Sequence, residues 1–162
     1  MDGRDLTHDG ATTTCENSGT IKLSPGLSNT ATVQNVTIKG KLSNCSSTES
    51  AVTEGKYVAH LKTEAVTCAV LAGEGALLTE SNVVFNLKPK EGGNPMGTFD
   101  FPVTEKAGVS LSGLVESGAF EGGAIGGSVS QAYAGGETCG IPNGKKKAKK
   151  VNKGTFTGSL SL

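Results

Sequence analysis

Apolar and polar residues alternate with a period of two in one segment after another of this chain, and no window sustains a helical period. Residues two apart lie on the same face of a β-strand, so each segment reads as a strand with one buried face. The strand-like segments are Gly19–Ser24, Val33–Ser43, Gly55–Thr67, Ser81–Lys88, Met96–Val103, Val109–Val115, Phe120–Tyr133 and Gly154–Leu162. In the second, Val36, Ile38 and Gly40 oppose Thr37, Lys39 and Lys41; in the third, Tyr57, Ala59, Leu61 and Thr63 oppose Val58, His60 and Lys62. Turn residues separate the segments, among them Ser24-Pro25-Gly26 and the stretch from Lys88 to Pro95. Eight such segments predict an all-β fold, either an antiparallel β-barrel or a two-sheet β-sandwich. At most one short helix is expected, within Thr67–Leu78, because Gly73 and Gly75 divide that window. Residues 1–14 read as a polar lead-in and residues 15–162 as a single all-β domain with a Lys-rich segment at 145–153.

The 162 residues include 24 Gly, five Phe, two Tyr and no Trp, so few large side chains are available for the core. No stretch approaches the ~20 consecutive apolar residues of a helical membrane span, and none is expected. The net formal charge is zero but unevenly laid out. Residues 1–140 hold all 15 acids and nine bases, whereas residues 141–162 hold six Lys and no acid.

Cys15, Cys45, Cys68 and Cys139 are even in number and widely spaced, with no CxxC pair and only His8 and His60 as companions. Metal ligands come at short spacings, so neither a metal nor a cofactor is expected. Two disulfides fit better and imply an oxidising setting, extracellular or at the cell envelope. Four cysteines allow three pairings. A hairpin of residues 19–24 and 36–43 brings its flanking cysteines near each other, which favours Cys15–Cys45 and leaves Cys68–Cys139. The opening Met1-Asp2-Gly3-Arg4-Asp5 has none of the apolar character of an export signal, so the first dozen residues are read as leading into a mature start.

Lys145, Lys146, Lys147, Lys149, Lys150 and Lys153 form the most concentrated charge in the chain. Such a cluster suits a polyanion held by salt-sensitive electrostatics. The plainer reading is a solvated loop whose lysines discourage edge-to-edge aggregation. No aromatic interrupts the run, so specific nucleic-acid recognition is not expected. The glycine cluster Gly122–Gly127 superficially resembles a phosphate-binding loop, but Ser128-Val129-Ser130 continues it as strand, which points to close strand packing, a bulge or a tight turn. Nucleophilic catalysis needs a base beside the nucleophile and a group that orients the base. His60 lies in a strand-like segment, no GxSxG elbow occurs, and Glu116 and Glu121 flank a turn in a chain with few sugar-stacking aromatics. No catalytic residue is assigned, and the chain is read as a non-enzyme.

The order of motifs is similar to that of a group of uncharacterised exported proteins of actinobacteria. The residues that carry the likeness are Gly19-Thr20-Ile21, Ser24-Pro25-Gly26-Leu27 and Gly40-Lys41-Leu42-Ser43-Asn44-Cys45. They continue with Thr67-Cys68, Ser117-Gly118-Ala119-Phe120-Glu121-Gly122, Thr138-Cys139-Gly140 and the Lys145–Gly154 stretch. The resemblance implies a secreted, disulfide-containing β-domain and brings no catalytic or binding residues with it.

Three functions compete on this reading. The leading one is a non-enzymatic exported β-domain at the cell envelope or outside the cell, touching anionic wall polymers through its lysines. The second is a β-barrel that holds a small apolar ligand, motivated by the scarcity of large core side chains. The third is a structural subunit of an extracellular assembly, joined to another protein by strand addition along the Ser/Thr-alternating C-terminal strand. The sequence sets no oligomeric state.

Overall fold

The structure, a computed structural model, describes residues 13–47, 52–73, 75, 78–89, 93–141 and 150–162. Its strands are β1 (Thr13–Leu27), β2 (Thr32–Ser47), β3 (Glu54–Val66), β4 (Leu78–Lys88), β5 (Met96–Asp100), β6 (Val109–Ser117), β7 (Ala124–Tyr133) and β8 (Val151–Ser161). Each strand pairs antiparallel with the next, and β8 returns to β1, which closes the sheet into an up-and-down barrel. Closure decides between the barrel and the sandwich. It also removes every free edge, because β8 is paired on one side with β1 and on the other with β7. The ends of the described chain meet: Thr13 N–H donates to the Leu162 carbonyl at 3.2 Å, and Leu162 N–H donates back at 2.9 Å.

Alternation produces this shape because a closed barrel has one dry face. Val36 and Ile38 on β2, Tyr57, Ala59 and Leu61 on β3, and Val83, Phe85 and Leu87 on β4 all point inward and are buried. Aromatic rings fill the middle. Tyr57 meets Phe85 and Phe99 with ring centroids 5.3 and 5.6 Å apart, and Phe101 links Phe99 at 5.9 Å to Phe156 at 5.1 Å. These are favourable edge-on and tilted arrangements. Phe85, Phe99 and Phe101 are 0% exposed, whereas a ligand-sized void beside them would leave accessible surface. Gly40 makes room for the Tyr57 ring, since a Cβ there would lie 2.0 Å from it.

Several boundaries differ from those read in the sequence. β1 begins at Thr13, so Thr13 and Thr14 belong to the barrel and not to a lead-in. Ser24-Pro25-Gly26 is not a turn; β1 runs on to Leu27 with a register shift against β8. The buried Gln34 holds the chain there, accepting from Gly26 N–H at 2.8 Å and donating to its carbonyl at 2.9 Å. β5 ends at Asp100, although Phe101 and Val103 continue to point inward. β7 begins only at Ala124, because the chain turns between Ser117 and that residue. The Thr67–Leu78 window holds a single 3-10 turn, Cys68–Leu71, whose start is capped by the Thr67 hydroxyl. Another such turn spans Gly136–Thr138.

The sheet is thinnest between β4 and β5, where only Val83↔Gly97 and Val84↔Met96 are in register. A side chain extends the seam. Ser81 donates its hydroxyl to the Phe99 carbonyl at 2.5 Å and accepts from Phe99 N–H at 2.7 Å, standing in for a missing stretch of ladder.

Candidate functional site

Cys15 is bonded to Cys45 with Cα atoms 4.0 Å apart, and Cys68 to Cys139 with Cα atoms 5.8 Å apart. The first pair joins neighbouring ends of β1 and β2 beside the register shift at Thr14/Glu16. The second ties the 3-10 turn after β3 to the one after β7, linking two parts of the chain that share no strand ladder.

Of the six lysines singled out in the sequence, Lys150 and Lys153 are described and exposed; Lys145, Lys146, Lys147 and Lys149 lie outside the described residues. Lys153 stands directly opposite Lys22 of β1 on the outer face. Neither has an acidic partner among the described residues. A groove of about 550 Å³ lies beside them, lined by three short runs of chain, residues 20–22 of β1, 132–134 at the end of β7 and 153–155 of β8. A smaller depression of about 250 Å³ is bordered by Lys41, Lys56, Lys88 and Glu54.

Charge divides the barrel. Among the described residues, β1, β2, β3 and β8 with Lys150 carry seven Lys and three Glu, while the chain from β4 to Ile141 carries six acids and two Lys. Where the halves meet, lysines find acids across the strands: Lys62 Nζ lies 3.7 Å from Glu80, and Lys88 Nζ lies 3.9 Å from Glu54.

The remaining candidates separate in space. His60 is exposed on the outer face of β3, between Thr37 and Asn82. Glu116 and Glu121 are both exposed at the β6–β7 turn. No group of three His, Cys, Asp or Glu that could hold a metal occurs among the described residues. Within the Gly122–Gly127 cluster, Gly127 sits in β7 with φ 132°, and a Cβ there would lie 2.2 Å from the Ser159 carbonyl of β8. Gly127 therefore serves close strand packing, while Gly122, at φ 86° with open space around it, serves the turn before β7.

The two groups with displaced titration are structural phenols. Burial pushes Tyr57 well above its ordinary value, and its hydroxyl donates to the Asn17 side-chain oxygen at 2.9 Å. Burial pushes Tyr133 up as well, and the nearby Glu105 carboxylate adds to the effect. The Tyr133 hydroxyl donates to Gln131, whose amide donates to the Pro102 carbonyl. Both phenols stay protonated and neutral over the physiological range, so neither is a base poised for chemistry.

Comparison of the chain with protein-family models, curated proteins and solved structures finds no match. The feature the sequence did not reveal is the company kept by Lys153. Lys22, Lys39, Lys41 and Lys56 look scattered along the chain, and only the register of the closed sheet gathers them.

Proposed function

We propose that the protein is a non-enzymatic, exported β-barrel domain that acts at the cell envelope or outside the cell and contacts anionic polymers through its Lys-rich segment. The observation that carries this reading is the exposure of Lys150 and Lys153 where β8 begins, with Lys153 facing Lys22 and no acid neutralising either among the described residues. Unpaired cations in register attract a polyanion from solution and hold it by counterion release. Two disulfides suit an oxidising compartment, and the likeness to exported actinobacterial proteins points the same way.

The other two readings lose what motivated them. Tightly packed rings occupy the middle of the barrel where an apolar ligand would sit. The C-terminal strand is bonded on both sides, so it offers no edge for strand addition.

Binding to poly(glycerol phosphate), measured across a salt series, tests the proposal. The expected result is affinity that falls steeply with salt and drops at least tenfold when Lys145, Lys146, Lys147, Lys149, Lys150 and Lys153 are all replaced by Ser. Unchanged binding by that variant would overturn it.

A further inference from the structure

We infer that the polymer-binding surface extends beyond the Lys-rich segment along a diagonal track of lysines on the outer face of β8, β1, β2 and β3, and that its ligand is an extended, flexible polymer with a phosphate in each repeat. The inference rests on the polyanion reading above and assigns it a surface.

Strand register places the lysines. At one level across the sheet, Lys153, Lys22, Thr37 and His60 stand side by side. One step along the strands, the row reads Thr155, Thr20, Lys39 and Val58. One step further it reads Thr157, Ser18, Lys41 and Lys56. The lysines thus step from Lys153 and Lys22 through Lys39 to Lys41 and Lys56. With strands ~4.8 Å apart and a rise of ~3.3 Å per residue, the track is roughly 20 Å long.

None of these three rows contains an acid. Acids begin one step beyond Lys41 and Lys56, with Glu16, which accepts from the Asn44 side chain at 3.0 Å, and Glu54, which borders the same depression and lies 3.9 Å from Lys88 Nζ. Two pairs in the track, Lys22↔Lys153 and Lys41↔Lys56, set like charges directly opposite each other, an arrangement that works against the sheet. At the β3–β4 border, by contrast, lysines face acids. A bound polyanion would relieve both repulsions. The two concavities lie at the two ends of the track, one beside Lys22 and Lys153 and the other beside Lys41 and Lys56. Thr20, Thr37, Thr155, Ser18 and Thr157 set hydroxyls among the charges, with Val58 and His60 as the other members of the rows, and hydroxyls can donate to phosphate oxygens.

The kind of polymer follows from what the face lacks. Tyr57, Tyr133, Phe85, Phe99, Phe101 and Phe156 are buried and Phe120 is half-buried, so no aromatic is free to stack on a nucleobase or to anchor at a lipid headgroup. Met96 and Leu114, the most exposed large apolar side chains of the strands, lie on β5 and β6, away from the lysines. The acid-rich half repels an anionic chain, so the polymer meets the barrel from one side.

The test replaces Lys22, Lys39, Lys41 and Lys56 by Thr, a strand-forming residue, and leaves the Lys145–Lys153 segment intact. Poly(glycerol phosphate) is the probe, with circular dichroism and thermal melting confirming the fold. The expected result is affinity lower by about a hundredfold at ~0.1 M salt and a log–log salt slope shallower by about three, near 0.7 for each phosphate that a lysine no longer neutralises. Full affinity and an unchanged slope in this variant, with binding abolished when the segment lysines become Ser, would overturn the track and leave the function standing. Absence of binding by the unaltered protein would overturn both. Tighter, lysine-dependent binding to phosphatidylglycerol vesicles than to the polymer would replace the polymer with a membrane surface, and tighter binding to single-stranded RNA would replace it with nucleic acid.

Discussion

The half of the barrel built from β8, β1, β2 and β3 and the half built from β4 to β7 meet the same closure requirement by different means. The first has strands of 11, 15, 16 and 13 residues with extended registers, and it carries lysine against lysine. The second includes a five-residue strand, is rich in acids, and is sealed at one seam by the Ser81 hydroxyl. A like-charged cross-strand pair costs roughly 0.2–1 kcal/mol, which a long ladder absorbs easily. The lesson is that uncompensated charge is placed where the ladders are longest. The half with the short strand sets none of its acids directly opposite another acid in the strand registers.

Three measurements sharpen or break that contrast. The largest effect is expected from the disulfides. Cys68–Cys139 closes a sequence separation of 71 residues and reaches into the short-strand half, so replacing both cysteines by Ala should cost about 4 kcal/mol by denaturant unfolding. Cys15–Cys45 closes 30 residues beside an existing ladder and should cost less, about 3.5 kcal/mol. The reverse order would mean that the long-strand half is the one that needs stapling.

Alkaline unfolding comes next, because each half buries one phenol. Tyr57 and Tyr133 are raised in the folded protein above their ordinary value of 10.0. The unfolded chain therefore loses these protons first, and stability, undiminished below pH ~10, falls as the pH rises past it. The slope approaches ~1.4 kcal/mol per pH unit for each tyrosine. Tyr57→Phe and Tyr133→Phe should each remove about half of that slope in urea titrations run from pH 9 to 11. An unchanged slope in either variant would show that its phenol ionises in place.

The smallest effect is at the seam. Ser81→Ala removes the bridge to Phe99 and should cost about 1–2 kcal/mol. Hydrogen exchange should then quicken at the Phe99 amide and leave the β1–β2 ladder unchanged. Equal acceleration everywhere would mean that the barrel opens as one unit and the halves are not separable.

Strand identity was legible wherever alternation was clean. Tyr57, Ala59 and Leu61 on β3 and Val83, Phe85 and Leu87 on β4 face inward as their spacing predicts. Local chemistry failed where a distant side chain intervened. Ser24-Pro25-Gly26 has the composition of a turn, but Gln34 supplies the hydrogen bonds that keep it in a strand. Phe101 and Val103 keep the inward period without a strand ladder, so periodicity alone ran past the end of β5. The lysine track was legible only in part, since alternation sets Lys39 and Lys41 on one face of their strand. Lys22 and Lys153 become neighbours only because the last strand returns to the first, and no local pattern encodes that register.

The mutual hydrogen bonds of Thr13 and Leu162 set the polarity of the whole particle. β8 runs from Val151, next to Lys150, to Ser161, and at the tilt of a closed barrel its 11 residues span about 25 Å of the axis. Any tether or fusion attached at either of these residues leaves from the same pole, and the opposite pole, with Lys150, is presented outward. A linker joining Thr13 to Leu162 would need only a few residues, so a circular permutant opened between β1 and β2, at the opposite end, should keep the barrel while turning the pole that bears Lys150 toward the tether.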